Sequence, residues 1–285
     1  DDNEFFPSIV GRYSLTDDQI IRVSYSRTVS RPDFRELAPF QYAPSFQDFT
    51  QQGNPELENA FNQNLDLRYE YFFGRGDLIS VSAFGKQLDS PIVPFVLTGA
   101  VSILTYTNAD KGHVYGAEFE LRKNLDFIGG VFKNVSFGSN LTILDSEVTL
   151  NPETVGTANS VTRPLTGASN YLVNADLTYN TETDNFSGNF TLAYNVYGRR
   201  MRQIGDQGVG DIYEMPVNTL NFTSQMKLGR SQRFGLNFYV KNILNPDIVV
   251  EQELPQASVG QLDIDSYKRG VRFNLGVSFD LITGE

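Results

Sequence analysis

Hydrophobic and polar residues alternate along much of this chain, most plainly near its end. Tyr267, Arg269, Val271, Phe273, Leu275, Val277, Phe279 and Leu281 share one parity, and Lys268, Gly270, Arg272, Asn274, Gly276, Ser278 and Asp280 share the other. Upstream, Phe234, Leu236, Phe238 and Val240 alternate with Gly235, Asn237, Tyr239 and Lys241. Phe186, Gly188, Phe190, Leu192, Tyr194 and Val196 alternate with Ser187, Asn189, Thr191 and Asn195. Successive side chains of a β-strand point to opposite faces, so each segment has one oily side and one wet side. The runs reach about ten residues or more, the length a tilted strand needs to cross a bilayer. Strands of soluble proteins average roughly five or six.

The pattern predicts about eleven strands, near 5–14, 18–29, 61–74, 76–88, 111–124, 131–148, 168–180, 185–201, 213–228, 232–244 and 265–281. Their connections alternate in length. Leu15-Thr16-Asp17, Gly74-Arg75, Thr181-Glu182-Thr183-Asp184 and Leu228-Gly229-Arg230-Ser231 are turn-sized, and 125–130 is slightly longer. The stretches 30–60, 89–110, 149–167, 202–212 and 245–264 are loop-sized. Short turns at one end and long loops at the other are the signature of an outer-membrane barrel, with the short end periplasmic. The expected fold is all-β, an antiparallel transmembrane β-barrel.

Composition changes this picture little. Only 40% of residues are hydrophobic, and no run approaches the roughly 18 apolar residues of a membrane helix. A barrel needs neither, because only alternate strand residues meet lipid. Helical bundles are disfavoured, since Thr, Asn, Val, Tyr and Phe crowd the periodic segments without i, i+3, i+4 spacing. With no tryptophan in the chain, Tyr71, Phe72, Phe73, Tyr179, Phe186, Tyr213 and Tyr267 would have to supply the interfacial aromatic girdles.

Cysteine is absent and His113 is the single histidine. A Ser-His-Asp hydrolase would have to use His113, and no nucleophile elbow precedes a helix. No phosphate-binding glycine loop, zinc spacing or EF-hand occurs, so no catalytic residue, metal or cofactor is expected. Arg75-Gly76-Asp77 spells an integrin-binding tripeptide, but it falls in a periplasmic turn and reads as chance. The net charge of −11 lies mostly in the long loops, densest at Asp247, Glu251, Glu253, Asp263 and Asp265. Such a surface repels nucleic acid and suits divalent ions that bridge to lipopolysaccharide.

The first long loop reads Ser26-Arg27-Thr28-Val29-Ser30-Arg31-Pro32-Asp33-Phe34-Arg35-Glu36-Leu37-Ala38-Pro39-Phe40, followed later by Gly53-Asn54-Pro55-Glu56-Leu57. Here the chain resembles the TonB-dependent receptors of the bacterial outer membrane. Tyr25, Ser26, Arg31, Pro32, Phe34, Leu37 and Pro39, then Asn54, Pro55 and Leu57, match the family's segments residue by residue. Tyr106-Thr107-Asn108 with Val114-Tyr115-Gly116-Ala117-Glu118-Phe119-Glu120, and the closing Arg272-Phe273-Asn274-Leu275-Gly276-Val277-Ser278-Phe279, also look like the family.

The resemblance implies a barrel of about 22 strands around an N-terminal plug, of which this chain would be the C-terminal half. No plug-like segment precedes the first strand, so residues 1–285 are expected to be a single barrel region that does not transport alone. The resemblance further implies active uptake of a siderophore, carbohydrate or peptide. The expected partners are outer-membrane lipid and lipopolysaccharide, the plug and remaining barrel strands of the same receptor, the inner-membrane energy-coupling protein acting through that plug, and a surface lipoprotein.

Arg68, Glu70, Glu118, Glu120, Arg122, Asn221, Asn237 and Arg272 are expected to face the lumen, because a charge facing lipid costs a few kcal/mol. Phe34, Phe40, Tyr42 and Phe46, with Phe49, could stack on a sugar, peptide or aromatic chelate, unless they serve as the loop's own small core. Arg199, Arg200 and Arg202 could receive carboxylate or phosphate. The competing functions are a structural or adhesin-type barrel without transport, and an outer-membrane hydrolase. A soluble all-β binding protein survives only if the strands are short.

Overall fold

The computed structural model describes residues 4–43, 50–97, 102–151, 161–205, 210–254 and 260–281. Eleven long strands form one wall: β1 (Ser8–Ser14), β2 (Gln19–Ser30), β3 (Ala60–Phe72), β4 (Leu78–Asp89), β5 (Lys111–Asn124), β6 (Val135–Thr149), β7 (Tyr171–Thr183), β8 (Phe186–Tyr197), β9 (Val217–Leu228), β10 (Phe234–Lys241) and β11 (Arg272–Phe279). Each pairs antiparallel with the next in chain order, from β1 at one edge to β11 at the other. Connections 15–18, 73–77, 125–134, 184–185 and 229–233 fall at one end of the wall, and 31–59, 90–110, 150–170, 198–216 and 242–271 at the other.

Four expected strands differ from the observed ones, and each difference has a local cause. The segment expected at 265–281 is two strands, Gln261–Lys268 and β11, parted at Gly270 with φ +76°. The one expected at 213–228 breaks at Pro216, which has no N–H for the ladder, leaving Ile212–Glu214 before β9. The one expected at 185–201 stops at Gly198, where an added Cβ would lie 2.6 Å from the Tyr171 ring. The one expected at 131–148 begins at Val135, because Gly130–Asn134 forms a 3₁₀ turn.

The detached pieces are not loose. Arg200–Gln203, Ile212–Glu214, Asp247–Glu253 and Gln261–Lys268 form a sheet of their own, in the order of β8, β9, β10 and β11. The wall therefore continues outward past a line of kinks. A second small sheet joins the first two long loops, with Thr50–Gln52 parallel to Ile103–Asn108 and flanked by Gln41–Tyr42 and Ile92–Leu97.

The distribution of buried residues is the reverse of a soluble sandwich. Val93, Phe95, Val148, Leu150, Met201 and Ile204 pack together at the loop end, whereas apolar residues of the wall lie open. Phe273, Leu275 and Leu192 are 68%, 71% and 40% exposed, with no second layer of the described residues over them. Tyr213, expected in an aromatic girdle, is instead buried within the loop-end cluster. Its strand lies beyond the kink at Pro216, outside the spanning part of the wall.

Loop 31–59 is pinned by its own backbone. Gly53 N donates to Ala38 O at 2.9 Å and Asn54 N to Glu36 O at 2.6 Å, which folds the Gly53-Asn54-Pro55 segment against the short helix Phe34–Leu37. A Cβ at Gly53 would sit 2.5 Å from Ala38 N and 2.6 Å from Arg35 O. Gly53→Ala is expected to cost the loop about 1–3 kcal/mol through overpacking. Limited proteolysis will then cut within 31–59 while the wall stays resistant; unchanged cleavage would contradict the close approach.

Candidate functional site

One face of the wall carries most of its polar side chains, the exceptions lying mainly toward the strand ends, and the register places them in rows. Arg22, Arg68, Ser82, Glu118 and Thr142 lie side by side from β2 to β6. The next row runs Ile20, Glu70, Ser80, Glu120, Asn140, Asn174 and Asn195. Asn221, Asn237 and Arg272 share that face on β9, β10 and β11.

On β2 to β5 the charges pair into a continuous ladder. Glu70 accepts from Arg22 Nε and Arg68 Nε, both at 2.9 Å. Arg68 reaches across β4 to Glu120 at 2.7 Å, and Arg122 closes on the other Glu120 oxygen at 2.8 Å. The crossing is feasible because β4 presents only Ser80 and Ser82 beneath it, and the Ser82 hydroxyl accepts a further Arg68 contact at 3.5 Å. Neither Arg22 nor the serines stand out in the sequence, where serine in a strand reads as filler. Thr142 Oγ1 donates to Glu118 at 3.5 Å.

From β6 to β10 the same face is richer in amides and hydroxyls, with Asp176, Glu182, Lys227 and Lys241 among them. Asn195 Nδ2 donates to Asn174 Oδ1 at 2.6 Å, Asn189 to Asn180 at 2.7 Å, and Thr178 and Thr191 hydroxyls meet at 2.9 Å. Asn221 serves the kink above β10, where its Oδ1 accepts from Asn242 N at 2.9 Å. Asn237 sits in this amide-rich half, and Arg272 lies opposite Lys241, exposed and without an ion pair among the described residues.

The long loops knit into one cap over that end. Asn54 Nδ2 donates to Tyr106 O at 3.1 Å, and Asn108 Nδ2 donates to Glu58 O and Ser90 O at 3.1 and 2.8 Å. Two segments that resemble the family in sequence thus meet in space. Val96 N donates to Ile204 O at 3.1 Å, tying the second loop to the fourth. Arg163 and Asp211 form a buried pair at 2.6 Å between the third and fourth. Burial pushes the Asp211 carboxyl above its usual range although the Gly205 N–H and Arg163 both favour the anion. Burial likewise raises the Tyr213 phenol to about 12.

The expected basic cluster does not present itself as a cluster. Arg199 lies over the Tyr213 ring at 3.5 Å and pairs with Glu253 at 2.9 Å. Arg200 holds Glu214 at 2.6 Å, and that carboxylate also accepts the Tyr197 hydroxyl at 2.6 Å. Both guanidiniums are committed to the cap, which leaves Arg202 exposed. The acidic partners lie in sequence far from the triplet, so its composition alone reads as unpaired. Among the aromatics, Phe34 and Phe40 are 94% and 63% exposed. Tyr42 is half-buried beside Phe40, with ring centroids 6.1 Å apart. Phe46 and Phe49 lie outside the described residues. Between loop 31–59 and the wall is an open cavity of about 990 Å³, reached by Arg31, Asp33, Glu36, Lys86, Glu118 and Arg200.

Glu120→Gln removes the anion shared by Arg68 and Arg122, and is expected to lower unfolding stability in detergent by about 1–3 kcal/mol. Arg272→Gln, which breaks no ion pair, is expected to change it little. Equal effects of the two substitutions would show that the ladder contributes nothing.

The family model for the TonB dependent receptor-like β-barrel matches residues 1–243. No curated protein matches the sequence. Among solved structures, a mutant of the ferric enterobactin receptor PfeA from Pseudomonas aeruginosa aligns with TM-score 0.61 at 17% identity, over 96% of this chain and 40% of that one. The siderophore receptor PirA from Acinetobacter baumannii aligns with TM-score 0.55 at 17% identity, over 85% and 37%. The copper transporter OprC aligns with TM-score 0.61 at 16% identity, over 95% and 39%. The chain thus spans about two fifths of these structures' length, and at such identities the likeness concerns the fold. With its family model covering most of the sequence and its wall matching theirs, the chain belongs to the TonB-dependent receptors, as part of a transmembrane β-barrel of the bacterial outer membrane.

Proposed function

We propose that this chain forms the wall and outer loops of one half of a receptor that imports a scarce ligand through a plugged barrel. The observation that carries this reading is the two-sidedness of the wall within this family: one face open and apolar, the other polar and crossed by a paired-charge ladder. In this reading β1 and β11, the two edges of the sheet, pair with the remaining strands of the receptor, because an unpaired edge in lipid costs several kcal/mol per backbone group. Arg68, Glu70, Glu118, Glu120, Arg122, Asn221, Asn237 and Arg272 then line the lumen, where they hydrate it and hold an N-terminal plug. An inner-membrane energy-coupling protein pulls on that plug, so the wall itself needs no nucleotide or cofactor.

The cargo class best supported is a metal chelate, on the analogy of structural neighbours described as siderophore receptors and a copper transporter. Carbohydrate and peptide remain the other classes of the reading. The exposed rings of Phe34 and Phe40 offer stacking faces on the loop whose Arg31, Asp33 and Glu36 line the cavity.

The intact receptor, expressed as the sole uptake route for ferric catecholate in an iron-starved Gram-negative host, is expected to support growth only while the coupling protein is present. Phe34→Ala and Phe40→Ala are each expected to weaken binding by about 1 kcal/mol, roughly fivefold in Kd. Growth that persists without the coupling protein would overturn active uptake. Loss of growth on catecholate alone, with sugar or peptide uptake intact, would move the cargo and leave the mechanism standing.

A further inference from the structure

Five short turns close the periplasmic end of the wall, and four of them, 15–18, 73–77, 184–185 and 229–233, carry at most one large apolar residue each, Leu15 in the first and Phe73 in the second. The fifth, 125–134, is different. It reads Leu125-Asp126-Phe127-Ile128-Gly129-Gly130-Val131-Phe132-Lys133-Asn134, and it presents Phe127, Ile128, Val131 and Phe132 at 70%, 53%, 72% and 41% exposure. Four large apolar side chains on one water-facing turn are costly unless something apolar covers them.

The turn is organised rather than frayed. Leu125 N donates to Val135 O at 2.9 Å, Ile128 N to Leu125 O at 3.1 Å, Gly129 N to Asp126 O at 3.0 Å and Phe132 N to Gly129 O at 3.2 Å. Gly129 and Gly130 take positive φ, +80° and +59°, a reversal that residues with a Cβ resist. These bonds satisfy part of the turn's backbone internally, which lowers the cost of placing it in a low-dielectric environment.

Its position indicates which face it joins. Lys123, on the apolar parity of β5 with Phe119 and Leu121, lies 5.5 Å from the Phe127 ring and 5.2 Å from the Phe73 ring. Phe73 in turn packs beside Tyr71 with centroids 5.6 Å apart. Phe127 is thereby continuous with the outward, lipid-facing band and not with the charge ladder on the other side. Lys133 adds a positive charge beside Phe132, as suits phosphate headgroups, whereas the Lys123 ammonium is held by the Asp77 carboxylate.

We propose that the 125–134 turn is a membrane anchor, seated in the periplasmic leaflet with Phe127, Ile128, Val131 and Phe132 at the boundary between phospholipid headgroups and acyl chains. It extends the wall's apolar band below its last ladder bonds, and adds to the interfacial aromatics Tyr71, Phe73, Tyr179 and Phe186 that stand at the same rim of a chain without tryptophan. The inference rests on the barrel's placement in the membrane but not on any cargo.

Nitroxide labels on single-cysteine variants of the intact receptor, reconstituted in phosphatidylethanolamine and phosphatidylglycerol vesicles, test it. Phe127→Cys and Val131→Cys are expected to be reached by oxygen and shielded from a water-soluble nickel complex, at a depth of about 5–10 Å. Arg230→Cys, in the polar 229–233 turn, is expected to be open to nickel. Val131→Cys as open to nickel as Arg230→Cys would place the turn in water, and labels shielded from both reagents would place it against protein; either result overturns the anchor. Phe119→Cys, at mid-wall, separates the two levels of the argument. If it too is shielded from oxygen, the barrel's placement fails along with the anchor.

Discussion

In hydrocarbon a peptide N–H or C=O without a partner costs several kcal/mol, and only helices or strands paired on both sides avoid that cost. No helix among the described residues is long and apolar enough to cross a membrane, so the ladder between neighbouring strands carries the burden. The ladder dictates the rest of the wall. Pairing in chain order requires reversals after each strand, which produces the alternation of short turns and long loops. The pleat sends alternate side chains to opposite faces, so lipid on one side and water on the other select opposite residue types within a single strand.

Once lipid takes the apolar parity, the usual source of cohesion moves elsewhere. The wall hides little of its apolar surface within the chain, and the tight apolar packing occurs where the loops meet, around Val93, Val148, Leu150, Met201 and Ile204. There the hydrophobic effect operates as it does in a soluble domain, because the surroundings are aqueous. The buried Arg163–Asp211 pair and the Arg199–Tyr213 stack sit in this body. Five loops that are separate in sequence therefore behave as one cap, while the spanning part relies on backbone bonds and on polar pairs such as Arg68–Glu120.

Much of the wall was legible from the residues. Each of the eleven spanning strands overlaps one alternating segment, four of them shortened or divided, and the eight polar wall residues picked out by parity, Arg68 through Arg272, lie on one face. Interruptions were harder to read. Pro216 and Gly270 stop the ladder, yet alternation continues through them, since the strand beyond each kink keeps the same period. The small sheet between the first two long loops was not visible at all. Its strands are two to six residues long and pair across loops, as Thr50–Gln52 does with Ile103–Asn108, and such short non-local pairings leave no periodic trace. Arg199 and Arg200 illustrate the same limit: they look free beside Arg202, because Glu253 and Glu214 arrive from other strands.

What the sequence determined by itself was everything local to one strand: its length, its two faces, its turns and hence its membrane-spanning character. These depend on the two-residue period of the backbone and on what each residue tolerates as a neighbour, both readable along the chain. Only the tertiary structure decided which charges meet, where the loops seal, and that Phe127 of the turn after β5 lies beside Lys123 on the outward parity. Those outcomes depend on register, which brings Arg22 to Glu70 and Arg68 to Glu120 across 48 and 52 positions. A one-residue slip of pairing would send every side chain of a strand to the other face, so such contacts exist only once all the strands have found their partners.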